Sequence, residues 1–254
     1  MKKNLWYLNA IMLVAMSNFV VTSCSSGDED DDDGVSTSPI TISAGDKTVI
    51  TGAESITSLN EFVAYVNNDL SVTGYHVGET TLTVNQKKNI KITVSPKSTL
   101  YDDPVTKWGC DQSYVKSSQK QGSLSSKSDS KNLIYENVGK ANAILMYTFD
   151  SGKMKSVGAV VSTAYTSEYA TYLSERFLML PYETAKDTYF IGVDALEKDK
   201  ANTYVVLQVY DYKTLIAVYM SPSSVNKTRS EFDLRNEVEK VKKEMSRFLS
   251  SQSV

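Results

Sequence analysis

Two segments of the chain repeat the same pattern of apolar and turn residues, 61 residues apart. Residues 143–150 (AILMYTFD) and 204–211 (YVVLQVYD) are each an apolar strand pattern that ends in an aromatic residue and an aspartate. In both copies a short turn and a second apolar run follow, and these runs close at Ser162 and Ser221. Repeated units of this kind arise because one copy cannot bury its own apolar face. The repeat therefore predicts one supersecondary unit that is used twice.

A helix and a further strand are predicted before each of these pairs. The four elements lie at about 111–121, 132–138, 167–178 and 188–193. Asp111 and Ser167 are the expected N-caps of the two helices. Two helix–strand–strand–strand units over residues 100–222 predict an α+β domain, in which an antiparallel sheet carries both helices on one face.

Strand alternation in the second copy places Tyr204, Gln208 and Tyr210 on the sheet face away from those helices. Thirteen of the 16 tyrosines lie in this domain. Tyrosine suits a binding surface because it joins a rigid apolar ring to a hydrogen-bonding tip. The alternative explanation is that strands simply favour tyrosine. These three residues form the candidate binding face.

The order of elements in this domain resembles the β-lactamase-inhibitor-protein-like fold. The resemblance covers element order alone. It implies a binding protein that contacts its partners on the sheet face that the helices leave open.

The N-terminal residues have the composition of an export signal. Lys2 and Lys3 precede an apolar stretch over 5–21, which is short for a membrane span and polar in its second half. Residues 21–24 (VTSC) resemble a bacterial lipobox. The resemblance implies cleavage of a signal peptide at 1–23, acylation of Cys24 and attachment to the membrane by several acyl chains, which hold more firmly than one. The alternative is an ordinary signal peptide with an incidental cysteine.

An unbroken run of six acidic residues follows, namely Asp28, Glu29, Asp30, Asp31, Asp32 and Asp33. The run resembles the surface-export signal of Bacteroidota lipoproteins, which implies the outer leaflet of the outer membrane, facing outward. A solvated spacer is the plainer interpretation, and both predict a disordered tether over 24–39. Without these six acids and the two leader lysines, 24 acidic and 25 basic residues remain. The body of the protein is therefore near neutral, and its charge gives no reason to expect a nucleic-acid partner.

Residues 40–96 are predicted to form a small all-β sandwich. Short apolar runs alternate with turn residues, and Ile90, Ile92 and Val94 alternate with polar neighbours. Residues 62–84 (FVAYVNNDLSVTGYHVGETTLTV) resemble the core of group 2 bacterial immunoglobulin-like domains. The resemblance implies a spacer or adhesion module without catalysis.

The segment 228–250 carries the strongest helix pattern in the chain. Its apolar residues recur at spacings of 4, 3, 4 and 3, at Leu234, Val238, Val241, Met245 and Phe248. Such a stripe packs against its own domain or contacts a partner or a second copy of the chain.

The residue inventory does not favour catalysis. One histidine and two cysteines exclude multi-histidine metal sites and zinc fingers. Cys110, beside a predicted helix N-terminus, is a candidate nucleophile, but His76 lies in the other domain on a predicted turn. An enzyme would need two acids facing one cleft, and Asp150 and Asp211 are the pair that the repeat relates. We expect both to be turn residues, and we predict no catalytic residue, no metal and no cofactor.

These patterns together predict a lipid-anchored surface protein of the outer membrane. Its α+β domain is the expected non-catalytic binding module, for a protein or a glycan ligand, and the immunoglobulin-like domain is the expected spacer. The alternative is a structural or adhesion component of a surface assembly that docks through the C-terminal helix.

Overall fold

The computed structural model describes residues 34–183, 188–222 and 231–250. The chain forms two compact units: residues up to Ser98 with Ala170–Arg176, and Thr99–Tyr169 with Phe177–Val254. Strands dominate, with a few helices and a C-terminal helix. None of the helices in the described ranges is both long enough and apolar enough to cross a membrane. The predicted leader, Cys24 and the acidic run lie outside the described residues.

The first unit contains two small sheets. Its strands are β1 (Ile40–Ser43), β2 (Lys47–Val49), β3 (Ile56–Ser58), β4 (Ala64–Val66), β5 (Ser71–Gly74), β6 (Gly78–Val84) and β7 (Lys88–Ser95). One sheet has the order β1-β7-β6-β3, with β1 parallel to β7, and the other has the order β2-β5-β4. The predicted alternation in β7 is confirmed, since Ile90, Ile92 and Val94 are buried.

His76 lies in the predicted turn, between β5 and β6, but the expectation that it is only a turn residue is wrong. Its side chain is buried, and its ring stacks on Phe62 with the ring centroids 3.8 Å apart. Its Nδ1 lies 2.7 Å from the carbonyl oxygen of Phe62. His76 therefore belongs to the core of the first unit.

A buried carboxylate holds the C-terminal end of the first unit. Glu175 is 5% exposed, and its two oxygens accept hydrogen bonds from the backbone N–H groups of Lys97 (2.9 Å) and Ser98 (3.0 Å). Burial raises the pKa of Glu175 above its ordinary 4.5, against the lowering effect of these bonds and of Arg176. The folded chain therefore holds this proton more tightly than the unfolded chain.

We expect Glu175→Ala to lower the free energy of unfolding at pH 7 by about 1–3 kcal/mol, because a buried N–H loses its acceptor. In the native chain, the contribution of Glu175 to stability falls as the pH rises from 4.5 through its raised pKa. Urea unfolding at several pH values should show that this fall is absent from the variant. The control is Glu168→Ala, which removes a surface ion pair with Lys140 and should cost less than about 1 kcal/mol. Equal losses in the two variants would contradict the role given to Glu175.

The second unit is built on one antiparallel sheet of eight strands. These are β8 (Ser123–Leu124), β9 (Asn132–Val138), β10 (Ala143–Asp150), β11 (Lys153–Ser162), β12 (Leu178–Glu183), β13 (Thr188–Val193), β14 (Tyr204–Val209) and β15 (Thr214–Met220). Their order is β12-β13-β14-β15-β11-β10-β9-β8. Each half is a run of four consecutive strands, and the two halves meet through their last strands. The repeat seen in the sequence is thus present in the sheet, with one strand more in each copy than predicted.

The α-helices of the described ranges are α1 (Gln112–Ser118), α2 (Thr166–Ser174) and α3 (Glu231–Ser250), of which α1, α3 and residues 166–169 of α2 belong to the second unit. Asp111 caps α1 as predicted, since its carboxylate accepts the N–H of Tyr114 at 2.9 Å. The predicted cap at Ser167 is wrong, because a 3₁₀ turn at Thr163–Tyr165 leads directly into α2. The predicted extension of this helix to Leu178 is also wrong. Leu178 begins β12, whose pairing with β13 overrides the helical spacing of the local sequence.

The first two helices contact the same face of the sheet. Tyr147, Val157 and Tyr219 lie in one row across β10, β11 and β15. Tyr147 donates its hydroxyl to Gln119 at the end of α1, with an O–O distance of 2.6 Å. The hydroxyl of Tyr219 lies 3.0 Å from that of Tyr101, which donates to the Tyr169 hydroxyl in α2 at 3.1 Å.

Helix α3 packs on the opposite face. Val238, Val241, Met245 and Phe248 share one buried cluster with sheet residues that include Met146, Val206 and Val218. Gly158 lies beneath the helix, where an added Cβ would come within 2.5 Å of the Met245 sulfur. The described apolar residues of α3 therefore pack against their own domain, which is one of the two interpretations of this stripe. Leu234 belongs to the part of α3 whose side chains are not described.

Candidate functional site

The predicted binding face is not an open surface. Tyr204 packs against the cluster beneath α3, and Tyr210 donates its hydroxyl to Ser246 of α3 at 2.9 Å. The Oε1 atom of Gln208 is buried, with no hydrogen-bond partner in the described part of the chain. Alternation placed these side chains on the correct face, but the expectation that this face lacks a helix is wrong. Because Val206 and Val218 make this face apolar, it needs a cover, and α3 supplies one.

Cys110 is poorly suited to act as a nucleophile. Its thiol is half-buried, and burial raises its pKa, with a further contribution from the neighbouring carboxylate of Asp111. A thiol acts as a nucleophile in its thiolate form, which both effects disfavour. Within the described ranges, no group of three or more histidine, cysteine, aspartate or glutamate side chains is placed to hold a metal ion.

A different part of the second unit has the features of a ligand site. A pocket of about 180 Å³ lies where α3 meets β10 and β11, and we call it the lysine pocket. Its polar lining consists of Lys131, Asn132, Thr148, Asp150, Lys155, Ser156, Lys240 and Glu244. The buried side chains of Phe149 and Val241 complete the wall.

A β-bulge shapes the strand side of the pocket. Thr148 pairs with Ser156 and Phe149 pairs with Met154, so Lys155 has no partner on β10. An extra residue of this kind bends the strand and changes the direction of its side chain, and bulges often accompany functional sites. Next to it, the hydroxyl oxygens of Thr148 and Ser156 lie 2.6 Å apart.

The opposite wall comes from α3. Lys240 and Glu244 lie four residues apart on the helix, which places them on one face one turn apart. Lys131, at the entrance to β9, adds a third ammonium group. Residues from three distant parts of the sequence therefore meet at this pocket.

The ammonium groups of the three lysines form no ion pair with the described residues. Across the described ranges, no side chain forms an ion pair or hydrogen bond with the ammonium group of Lys131, Lys155 or Lys240. The two carboxylates differ from each other, because Glu244 is paired with Arg247 at 2.6 Å whereas Asp150 is exposed at the end of β10. The pocket thus offers three free cations beside hydroxyl and amide groups.

Asp150 was predicted as a turn residue, and it does precede the turn that joins β10 to β11. Ser151 and Gly152 both have positive φ, as a two-residue hairpin turn of type I′ requires. Asp150 also lines the pocket. Its repeat partner Asp211 instead accepts the N–H of Lys213 in the turn between β14 and β15 and takes no part in the lining.

The lysine pocket has almost no signal in the amino-acid sequence. Lysines are ordinary on exposed strand and helix positions, and nothing local marks these three. The bulge at Lys155 depends on how β10 and β11 pair, and the role of Lys240 depends on where α3 docks. Asp150 before a glycine turn is the only member with a local signal.

Comparison with known proteins finds no match: no protein-family model matches the chain, and neither a curated protein nor a solved structure is significantly similar to it.

Proposed function

We propose that the chain is a lipid-anchored surface protein of the outer membrane and that its second unit is a non-catalytic binding module. The leader, Cys24 and the six acids that follow it support the location. The two small sheets of the first unit are compatible with an immunoglobulin-like sandwich, which suits a spacer.

The lysine pocket is the observation that carries the binding function. Three lysines line one concave surface, and none of their ammonium groups has an ion-pair partner in the described ranges. An anionic ligand supplies the missing partners and forms charge-assisted hydrogen bonds with them. Hydroxyl and amide groups between the lysines then fix its orientation.

The two carboxylates of the pocket support a function in binding and not in catalysis. A glycosidase needs one carboxylic acid that donates a proton and a second carboxylate that acts as base or nucleophile. Glu244 already forms an ion pair with Arg247. The docking of a partner through the stripe of α3 has lost its support, because the described residues of that stripe are buried against the sheet.

Replacement of Cys24 tests the anchor. We expect Cys24→Ser to move the protein from the membrane fraction to the soluble fraction of cells, since the acyl chains are the proposed attachment. Cys110→Ser, which alters the other cysteine of the chain, is the matched control and should stay with the membranes. The measurement is immunoblotting of membrane and soluble fractions. Membrane retention of the Cys24 variant would contradict lipid anchoring at that residue.

Two experiments on intact cells test the surface exposure of the protein and its binding of a ligand, and the first is protease treatment. The native protein should be digested, and replacing residues 28–33 by Asn and Gln should protect it without releasing it from the membrane.

Cells with the native protein should also retain labelled extracellular polysaccharides from a mixed neutral and acidic panel, without shortening them. Full protection of the native protein would refute surface display. Cleavage of a polysaccharide would refute a non-catalytic module, and retention of none would refute a glycan ligand.

A further inference from the structure

We propose that the lysine pocket binds an anionic sugar residue, one that carries a carboxylate or a sulfate group on its ring. This inference rests on the proposed function, because it names the ligand class of the same pocket.

The anionic part of the ligand follows from the three lysines. Lys155 comes from β11, Lys240 from α3 and Lys131 from the entrance to β9, so the three lysines that line the pocket come from different elements. The buried side chains of Phe149 and Val241 exclude water from part of the wall, which strengthens the attraction between an ammonium group and an anion. A carboxylate or sulfate has enough oxygens to accept bonds from more than one lysine.

The sugar part of the ligand follows from the remaining groups. The exposed carboxylate of Asp150 can only accept hydrogen bonds, and sugar hydroxyls donate them. The hydroxyl of Thr148 shares a hydrogen bond with that of the buried Ser156 and has capacity for a further one. The side-chain amide of Asn132 both donates and accepts, as a ring with several hydroxyls requires. A ligand that is anionic at one point and rich in hydroxyls elsewhere uses both the lysines and the carboxylates.

Other anionic ligands fit less well. An acidic peptide satisfies the lysines but brings its carboxylates towards Asp150 and Glu244 without hydroxyls to offer them. A nucleotide requires an aromatic face for its base, and Phe149, the aromatic residue in this lining, is buried. The volume of about 180 Å³ also suits a single ring better than a larger ligand.

The test measures binding of small probes to the purified full-length chain in detergent, by ligand-observed NMR titration. The probes are glucuronate, glucose 6-sulfate, glucose, sodium sulfate and triglutamate. We expect glucuronate or glucose 6-sulfate to bind at least about tenfold more tightly than each of the other three. The tighter of the two shows whether the natural group is a carboxylate or a sulfate.

The decisive variant is K131Q/K155Q/K240Q, which should weaken binding of the preferred probe by about tenfold or more. The matched control is K87Q/K116Q/K243Q, which makes the same change in net charge at three exposed lysines outside the lining. The control should bind as the native chain does. Circular dichroism and the urea midpoint show that both variants are folded.

Several results would overturn this inference. Equal weakening by the two triple variants would show a general charge effect. Sodium sulfate binding as tightly as glucose 6-sulfate would show that the ring contributes nothing, and triglutamate binding as tightly as glucuronate would favour an acidic peptide. If cells retain only the neutral polysaccharides of the panel, the sugar class is wrong while the proposed binding function stands.

Discussion

Met245→Asp is expected to unfold the second unit or to release α3 from its sheet. Met245 is 1% exposed and lies over Gly158 in the cluster that α3 shares with the sheet. The change removes a buried apolar side chain and puts an unpaired carboxylate in its place. Loss of the side chain alone costs about 2–5 kcal/mol, and burial of the charge adds to it. Since a domain is stable by about 5–15 kcal/mol, much of the unit's stability is lost.

The matched control for this variant is Lys243→Asp, which puts the same residue at an exposed position on the same helix. Its effect should stay below about 1 kcal/mol, as for most surface substitutions. Urea unfolding followed by circular dichroism measures both variants. Similar midpoints for the two would show that α3 does not stabilise the sheet, and the face with Tyr204, Gln208 and Tyr210 would again become a candidate surface.

Gly139→Ala is expected to be the most damaging glycine substitution in the second unit. Gly139 follows β9 with a φ of +61°, a conformation that residues with a Cβ adopt at a cost of roughly 1–2 kcal/mol. An added Cβ would also lie 2.5 Å from the carbonyl oxygen of Leu100 and 2.5 Å from the Cβ of Tyr101. Because neither atom is the end of a flexible side chain, the backbone itself has to move. We expect a loss of about 3 kcal/mol or more in the free energy of unfolding.

Gly152→Ala separates the two causes of that loss. Gly152 has a similar φ of +73°, but an added Cβ would meet nothing within 4 Å. Its variant should lose only the conformational cost, about 1 kcal/mol after the reduced freedom of the unfolded chain is counted. If thermal or urea unfolding gives the same loss for both variants, the close approach of residues 100–101 to this turn is not what constrains Gly139.

The parts of the fold that were predicted correctly are those with a local physical cause. The alternation in β7 follows from the period of a strand with one buried face, and the cap of α1 follows from the ability of Asp111 to accept an N–H. The turn at residues 151–152 follows from the requirement for positive φ. Each of these depends on residues close together in the chain, so a single segment contains the whole signal.

The incorrect predictions concern features that depend on contacts between residues far apart in the chain. The end of α2 depends on β12 pairing with β13, and the burial of His76 depends on the stacking partner that Phe62 provides. The cover over Tyr204, Gln208 and Tyr210 depends on where α3 docks, which its own apolar stripe does not specify. In each case a contact between distant residues outweighs a local preference.

Periodicity and turn chemistry act over a few residues, so the duplication, the faces of the repeated strands and the amphipathic character of the last helix can be predicted from local sequence. The sheet face that this helix covers, and the side chains that meet beside it, depend on contacts between distant parts of the chain. Lys131, Lys155 and Lys240 are ordinary exposed lysines along the chain. They become a shared pocket because a bulge changes the direction of one, a helix that docks across the sheet brings another, and the loop before β9 supplies the third.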